Sequence, residues 1–276
     1  MNLVVFGGDM RMDGAVRAAR RAGWTALHVR SESDMEGIRE KTDAVMLPWP
    51  AGFAEDRLIG GEMSREQTLS MLPPCRMALH GADVSADELR MAGKRLNPAG
   101  DEAFLTVNAR LTAEGAICCA MQQQGKALLD ATAMITGFGR IAQALTQRLT
   151  ALGVFVIICA RNEQQMRQAH AAGAHPMALE RLAAAAAQAD VVFNTVPARI
   201  MSEAILKAVD QDALVIDLAS APYGADAETA RKLGVRYIRE SGLPGRYAPE
   251  NAGAALFDAL QRGMTEADGK GGESDG

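Results

Sequence analysis

Residues 137–142 read Gly137-Phe138-Gly139-Arg140-Ile141-Ala142, a G-x-G-x-x-A arrangement lying between an apolar strand-like run and a helix-like one. That context gives the pattern its chemistry. Gly137 permits a tight turn, Gly139 lets a diphosphate approach the backbone, and Ala142 lets the helix pack on the strand. The phosphates then meet bare N–H groups at the helix N-terminus, with Phe138, Arg140 and Ile141 completing the cradle. A glycine turn with no ligand carries the same residues; the strand before and the helix after favour a dinucleotide.

The next strand ends in Cys159-Ala160-Arg161-Asn162. Sites selective for NAD place an acidic side chain near this point, on the ribose 2′-hydroxyl. Arg161 stands here instead. A guanidinium pairs with a 2′-phosphate and stacks on adenine, which favours NADP and leaves NAD open. Two later strand ends, Asn194-Thr195-Val196-Pro197 and Asp217-Leu218-Ala219-Ser220, are expected to face the same crevice. Asn194, Thr195, Val196, Pro197, Asp217 and Ala219 are therefore assigned to cofactor binding, as are Asn162 and, in the loop Gly242-Leu243-Pro244-Gly245, Gly242 and Pro244.

A second glycine turn, Gly7-Gly8-Asp9-Met10-Arg11, lacks the third spacing. It is read as a seat for a small anion at a helix N-terminus, with Arg11 adding charge. Asp9 or Asp13 as an N-cap is the plainer alternative. His28 and His80 sit near strand ends, and His170 and His175 flank a helix end. His80 is the one acid/base candidate among them. No H-E-x-x-H, G-x-S-x-G or P-loop pattern occurs, and the four cysteines (Cys75, Cys118, Cys119, Cys159) have no C-x-x-C spacing. Zinc sites and disulfide scaffolds are poor readings; reduced cytosolic thiols are expected.

Positioning these residues requires alternating strands and helices, which argues for parallel sheets with crossover helices. The first series runs through strands at Leu3–Phe6, Thr25–Val29, Ala44–Leu47 and Arg76–His80, with helices near Asp13–Ala22 and Ser85–Ala92. The second has strands at Ala133–Ile135, Val154–Cys159, Val191–Thr195, Leu214–Leu218 and Val235–Ile238. The expected fold class is α/β, two doubly wound parallel-sheet domains, the second dinucleotide-binding. The expected divisions are a substrate-side domain over 1–100, a connecting helical stretch in two pieces over 101–125, and a nucleotide domain over 126–246. A terminal helix over 247–265 and a disordered tail over 266–276 follow.

The 276 residues carry 29 Lys plus Arg against 34 Asp plus Glu, a net charge of −5, so a sequence-independent grip on nucleic acid is excluded. Aromatics are only 4% of the chain, too few for a base-stacking platform. No apolar run reaches bilayer length, and MNLVVFGGDMR is read as a first strand rather than a signal peptide. Neither a membrane nor a nucleic acid is an expected partner.

The order and spacing of several short motifs resemble one dipicolinate synthase family of spore-forming bacteria, that of the enzyme's A subunit. They are Val4–Arg11, Thr112–Ile117, Gly137–Arg140, Gly153, Ala160-Arg161, Asn194–Pro197, Ile216–Ser220 and Gly242–Pro249. The two-domain plan is also similar to 2-hydroxyacid dehydrogenases and adenosylhomocysteinases. The resemblance implies a cytoplasmic protein of the mother cell that works with a flavoprotein-like partner, the dipicolinate synthase B subunit. Together they make pyridine-2,6-dicarboxylate from a lysine-pathway intermediate, with NADP or NAD as cofactor. For a substrate with two carboxylates, the Gly7–Gly8 turn, Asp9, Arg11, Gly115 and Arg246 are the binding candidates. Glu114 and Ser220, with His80, are the catalytic candidates, and Arg199 could also reach inward. Two other readings stand beside this one: a D-2-hydroxyacid-type dehydrogenase, and a non-catalytic NADP-sensing regulatory protein. The first normally needs a late histidine, and none follows His175. A homo-oligomer is compatible with all three.

Overall fold

Leu3 and Val5 pack in one apolar cluster and Val4 and Phe6 in another, and all four are buried. Alternate strand residues face opposite sides, so a strand apolar on both needs cover on both, which a parallel sheet with crossover helices supplies. The computed structural model describes residues 1–37, 42–125 and 127–269. It divides into a first unit, Met1–Asn108 with the chain from Pro244 onward, and a second unit, Ala109–Leu243.

The first unit runs β1 (Asn2–Phe6), α1 (Met10–Arg21), β2 (Thr25–Val29), β3 (Ala44–Met46), a hairpin of β4 (Phe53–Ala54) and β5 (Arg57–Leu58), α2 (Arg65–Ser70), β6 (Cys75–Leu79) and β7 (Ala92–Leu96). Its main sheet has the order β2-β1-β3-β6-β7, every pair parallel. The helix expected at Ser85–Ala92 is absent. Four-residue turns close instead, Leu89 N–H onto the Ala86 carbonyl and Ala92 N–H onto that of Leu89, and the chain passes directly into β7. The Glu88 carboxylate reaches back to the Ser85 N–H and hydroxyl at 2.8 and 2.7 Å, which fixes that turn.

The helix α3 (Glu102–Gln124) is a single 23-residue helix, not two pieces, and the boundary between the units falls within it. Leu111, Ala113, Ala116, Ile117 and Ala120 are all buried, so the apolar spacing runs unbroken through Thr112, where a second start was expected.

The second unit runs β8 (Thr132–Thr136), α4 (Arg140–Ala151), β9 (Phe155–Ala160), α5 (Glu163–Ala171), β10 (His175–Ala178), α6 (Leu182–Ala186), β11 (Val191–Asn194), α7 (Glu203–Ala208), β12 (Leu214–Asp217), α8 (Ala227–Lys232) and β13 (Arg236–Arg239). The strand order is β10-β9-β8-β11-β12-β13, again all parallel. Renumbered from β8 this is 3-2-1-4-5-6, the dinucleotide-fold order, with its reversal beside β8.

The segment 242–245, expected as a loop, contributes to a short helix α9 (Leu243–Tyr247), and α10 (Pro249–Gly269) follows. α10 is part of the first unit, not a separate appendage. It crosses α1 so closely that a Cβ on Gly253 would stand 2.1 Å from the Arg11 carbonyl, and one on Gly14 2.5 Å from that of Pro249. Trp24 and Phe257 meet edge to face at 5.2 Å within that layer. Residues 266–269, expected to be disordered, continue this helix; the rest of the expected tail lies outside the described residues. Among the described residues, no helix is long and apolar enough to cross a membrane, and no His/Cys/Asp/Glu cluster could hold a metal ion.

Candidate functional site

In an open parallel sheet the ligand crevice opens at the carboxyl ends of the strands, where the order reverses. Here that point lies after β8. Gly137 takes a left-handed φ of +77°, with its N–H on the Cys159 carbonyl of β9 at 2.8 Å. A Cβ there would lie 2.9 Å from Val196 Cγ2. Gly139 is the N-cap of α4, and no side chain caps this helix. A Cβ on Gly139 would meet nothing within 4 Å. Among the described residues no acceptor is recorded for the Ile141 and Ala142 N–H groups of this first turn, and the positive end of the helix dipole lies behind them. Gln143 Nε2 donates to the Phe138 carbonyl at 3.1 Å and ties the turn to the helix.

A cavity of about 400 Å³ opens over this turn. Gly137, Phe138 and Gly139 form its floor; Cys159, Ala160, Arg161, Gln165 and Leu179 form one wall, and Thr195 to Ala198 with Ile200 the other. Arg161 is exposed at its rim, and among the described residues no hydrogen bond or ion pair engages it. Burial pushes the Cys159 thiol up to about 12, so it stays protonated and is no nucleophile. An open turn, an uncapped helix and a free guanidinium fit a dinucleotide: diphosphate on α4, adenosine end toward Arg161.

Several assigned cofactor residues lie behind this surface. Asn194 and Asp217 are 0% and 1% exposed and bond to each other, so they do not line the cavity. Ala219 N–H donates to Asp217 at 3.1 Å in the turn after β12. Asn162 caps α5, its side chain accepting from Gln165 N–H at 2.8 Å. Arg140 is exposed on the first turn of α4 and Ile141 half-buried beside it. Gly242, with φ +64°, and Pro244, buried in α9, are not in the cavity wall.

Glu114 is not at the cavity. It sits on α3 with its carboxylate 2.8 Å from Arg148, two turns along α4 from Gly139, in a separate groove with Ile117, Cys118, Met121 and Leu152. Gly115 is buried within α3. Ser220 is exposed after β12, its carbonyl accepting from Tyr223 N–H at 3.0 Å.

In the first unit the Gly7–Gly8 turn is not an open anion seat. The segment after β5 lies on it: Gly8 N–H donates to the Ile59 carbonyl at 2.5 Å, and a Cβ on Gly60 would stand 2.1 Å from the Gly8 carbonyl. The helix N-terminus already has its anion, since Asp9 caps α1 through Arg11 N–H at 2.9 Å. Burial raises the Asp9 carboxyl, but the Arg11 hydrogen bonds and charge outweigh it and hold it below its usual value. Arg11 itself borders a smaller cavity, about 140 Å³, with Asp9, Met12, Trp49, Pro50 and Ile59. Arg246 is exposed one residue past Gly245, where a Cβ would lie 3.1 Å from Arg11 Nε. His80, after β6, has Nδ1 2.8 Å from the Gly81 carbonyl. A carbonyl only accepts, so Nδ1 carries the proton and, in the neutral ring, Nε2 keeps a lone pair.

Residues 106–231 match the family described as "D-isomer specific 2-hydroxyacid dehydrogenase, NAD binding domain". The chain is 30% identical over 155 residues to the A subunit of dipicolinate synthase from Bacillus subtilis, a stretch covering 56% of this chain and 52% of that protein. The match thus spans about half the length of the relative. The corresponding A subunit from Bacillus halodurans superposes with a TM-score of 0.79 at 24% identity, covering 95% of this chain and 97% of that one. The Bacillus subtilis structure gives 0.79 at 23% identity, covering 98% and 97%. The resemblance drawn from the short motifs therefore holds in sequence over half the chain and in fold over nearly all of it. The second unit thus resembles, in sequence and in strand order, the nucleotide-binding domain of that dehydrogenase family.

Proposed function

We propose that this chain is the dehydrogenase component of a dipicolinate-forming enzyme, removing a hydride and a proton from a dihydropyridine dicarboxylate to leave the aromatic pyridine-2,6-dicarboxylate. The observation that carries the reading is the uncapped N-terminus of α4 beneath Gly137 and Gly139, at the reversal point of the sheet. The relative matched over half its length, a dipicolinate synthase by name, supports the substrate class.

When bound, the dinucleotide supplies the hydride acceptor. Gly137, Phe138, Gly139 and the first N–H groups of α4 would hold its diphosphate, and Arg161 would pair with a 2′-phosphate, giving a preference for NADP. The apolar wall of Val196, Pro197 and Ala198 excludes water from one side. Arg11 is the candidate donor for one substrate carboxylate, and Arg246 for the second. His80 is the candidate base, its Nδ1–H held by Gly81 so that Nε2 takes the proton. Aromatisation is downhill, so positioning is most of what the protein must provide. The partner would be the flavoprotein-like B subunit of dipicolinate synthase, in the cytoplasm of a sporulating cell.

The test is direct. The chain alone, and with that flavoprotein-like partner, is given the lysine-pathway intermediate and oxidised dinucleotide, and pyridine dicarboxylate is followed by absorbance. Product appearing in step with reduced dinucleotide supports the reading. Dinucleotide binding without turnover, even with the partner, favours the sensor instead.

A further inference from the structure

Thr136, Asn194 and Asp217 are direct neighbours in register across the ends of β8, β11 and β12. Their side chains form a closed network. Thr136 Oγ1 donates to Asn194 Oδ1 at 2.6 Å and accepts from Thr195 N–H at 3.1 Å. Asn194 Nδ2 donates to Asp217 Oδ1 at 2.7 Å and to the Val196 carbonyl at 3.1 Å. Asp217 Oδ2 accepts from Gly224 N–H at 2.7 Å and from the Tyr237 hydroxyl at 2.5 Å. Gly224 lies so close to Asn194 that a Cβ would stand 2.4 Å from Nδ2, and its carbonyl accepts from Met201 N–H at 2.9 Å. Among the described residues no buried side-chain nitrogen or oxygen lacks a partner, so every member is satisfied. A network in that condition rigidifies what it holds.

What it holds is the Thr195–Ala198 wall of the cavity, whose Val196 rests against Gly137. We infer that Thr136, Asn194, Asp217 and Tyr237 are positioning residues: without touching the dinucleotide, they fix this wall from behind, so loosening the network anywhere weakens dinucleotide binding. The inference rests on the dinucleotide reading above. It replaces direct cofactor contact for Asn194 and Asp217 with action through the backbone of Thr195 and Val196.

The experiment compares Thr136→Val, Thr136→Ser and Tyr237→Phe with the parent chain by NADPH titration, melting temperature and amide hydrogen exchange. Valine keeps the threonine shape but strips Asn194 Oδ1 of a donor and Thr195 N–H of an acceptor; the expected result is an about tenfold weaker Kd. Faster exchange at Thr195, Val196 and Gly224 should accompany it, and serine should restore both. Tyr237→Phe, at the far end of the network, should weaken binding by a smaller factor with the same exchange pattern, and it decides the matter if the valine variant does not fold. A merely structural role would lower the melting temperature and leave Kd unchanged well below it. Parent chain that binds, with variants that bind equally tightly, overturns this inference alone; a parent chain that binds no dinucleotide overturns the reading beneath it.

Discussion

Gly139 and Gly137 are two residues apart, yet alanine should act on binding at the first and on stability at the second. Gly139 has φ −80° and ψ −172°, extended backbone open to any residue, and its Cβ would meet nothing within 4 Å. Replacing glycine at a compatible conformation stabilises by about 0.4–1 kcal/mol through the unfolded chain. Alanine is a poorer N-cap than glycine by a similar amount. The two offset, and Gly139→Ala should melt within about 2 °C of the parent chain. The new methyl, however, occupies the space through which a diphosphate oxygen reaches the backbone. NADPH affinity should fall at least about tenfold, equivalent to ~1.4 kcal/mol. Gly137→Ala forces a left-handed conformation on a residue with a Cβ, costing about 1–2 kcal/mol, and crowds Val196 as well, so it should lower the melting temperature by several degrees. The assay is a thermal melt paired with a fluorescence titration of NADPH on each variant. Gly139→Ala that melts like the parent chain and binds NADPH as tightly would refute the placement of the diphosphate.

Other outcomes follow from the same geometry. Arg161→Ala should weaken NADPH about tenfold or more and NADH little, read as a ratio of titrated affinities; loss of a charge-assisted bond of this kind is worth about 1.5–3 kcal/mol. Arg11→Ala should raise KM for the dicarboxylate while leaving dinucleotide affinity unchanged; an unaltered KM would remove Arg11 from the site. Burial and the hydrogen bond to Asp217 push the Tyr237 phenol up to about 12. A raised phenol favours the folded state fully below its unfolded value near 10, and this support is lost as pH climbs from about 10 to 12. Alkaline melting curves of Tyr237→Phe should therefore lack part of the parent's decline over that window. Gly253→Ala should destabilise the first unit by about 1–3 kcal/mol in urea titration, because the methyl meets the α1 backbone.

Sequence patterns conveyed most of the sheet framework and the glycine turn after β8, because both are local: apolar runs, breakers and a fixed spacing. What they missed is set by distant partners. Among the described residues β7, which reads Ala-Gly-Lys-Arg-Leu, pairs only with β6, and β10, which begins His-Pro, pairs only with β9. Edge strands like these carry little apolar alternation. The Gly7–Gly8 turn has the composition of an anion seat, but Ile59, fifty residues on, uses the Gly8 N–H. Glu114 carries no sign in its neighbours that Arg148 will hold it. Asn194 and Asp217 did carry one: polar residues ending adjacent buried strands lie in register, where pairing with each other competes with ligand contact.

Every functional role proposed above depends on a dinucleotide diphosphate lying on the peptide nitrogens after β8. A crystal structure of the protein with NADP tests it most directly. Diphosphate oxygens should lie within hydrogen-bond distance of the N–H groups that open α4, and the 2′-phosphate beside Arg161. Density for the nucleotide elsewhere, or a glycine turn closed over by protein side chains, would contradict it.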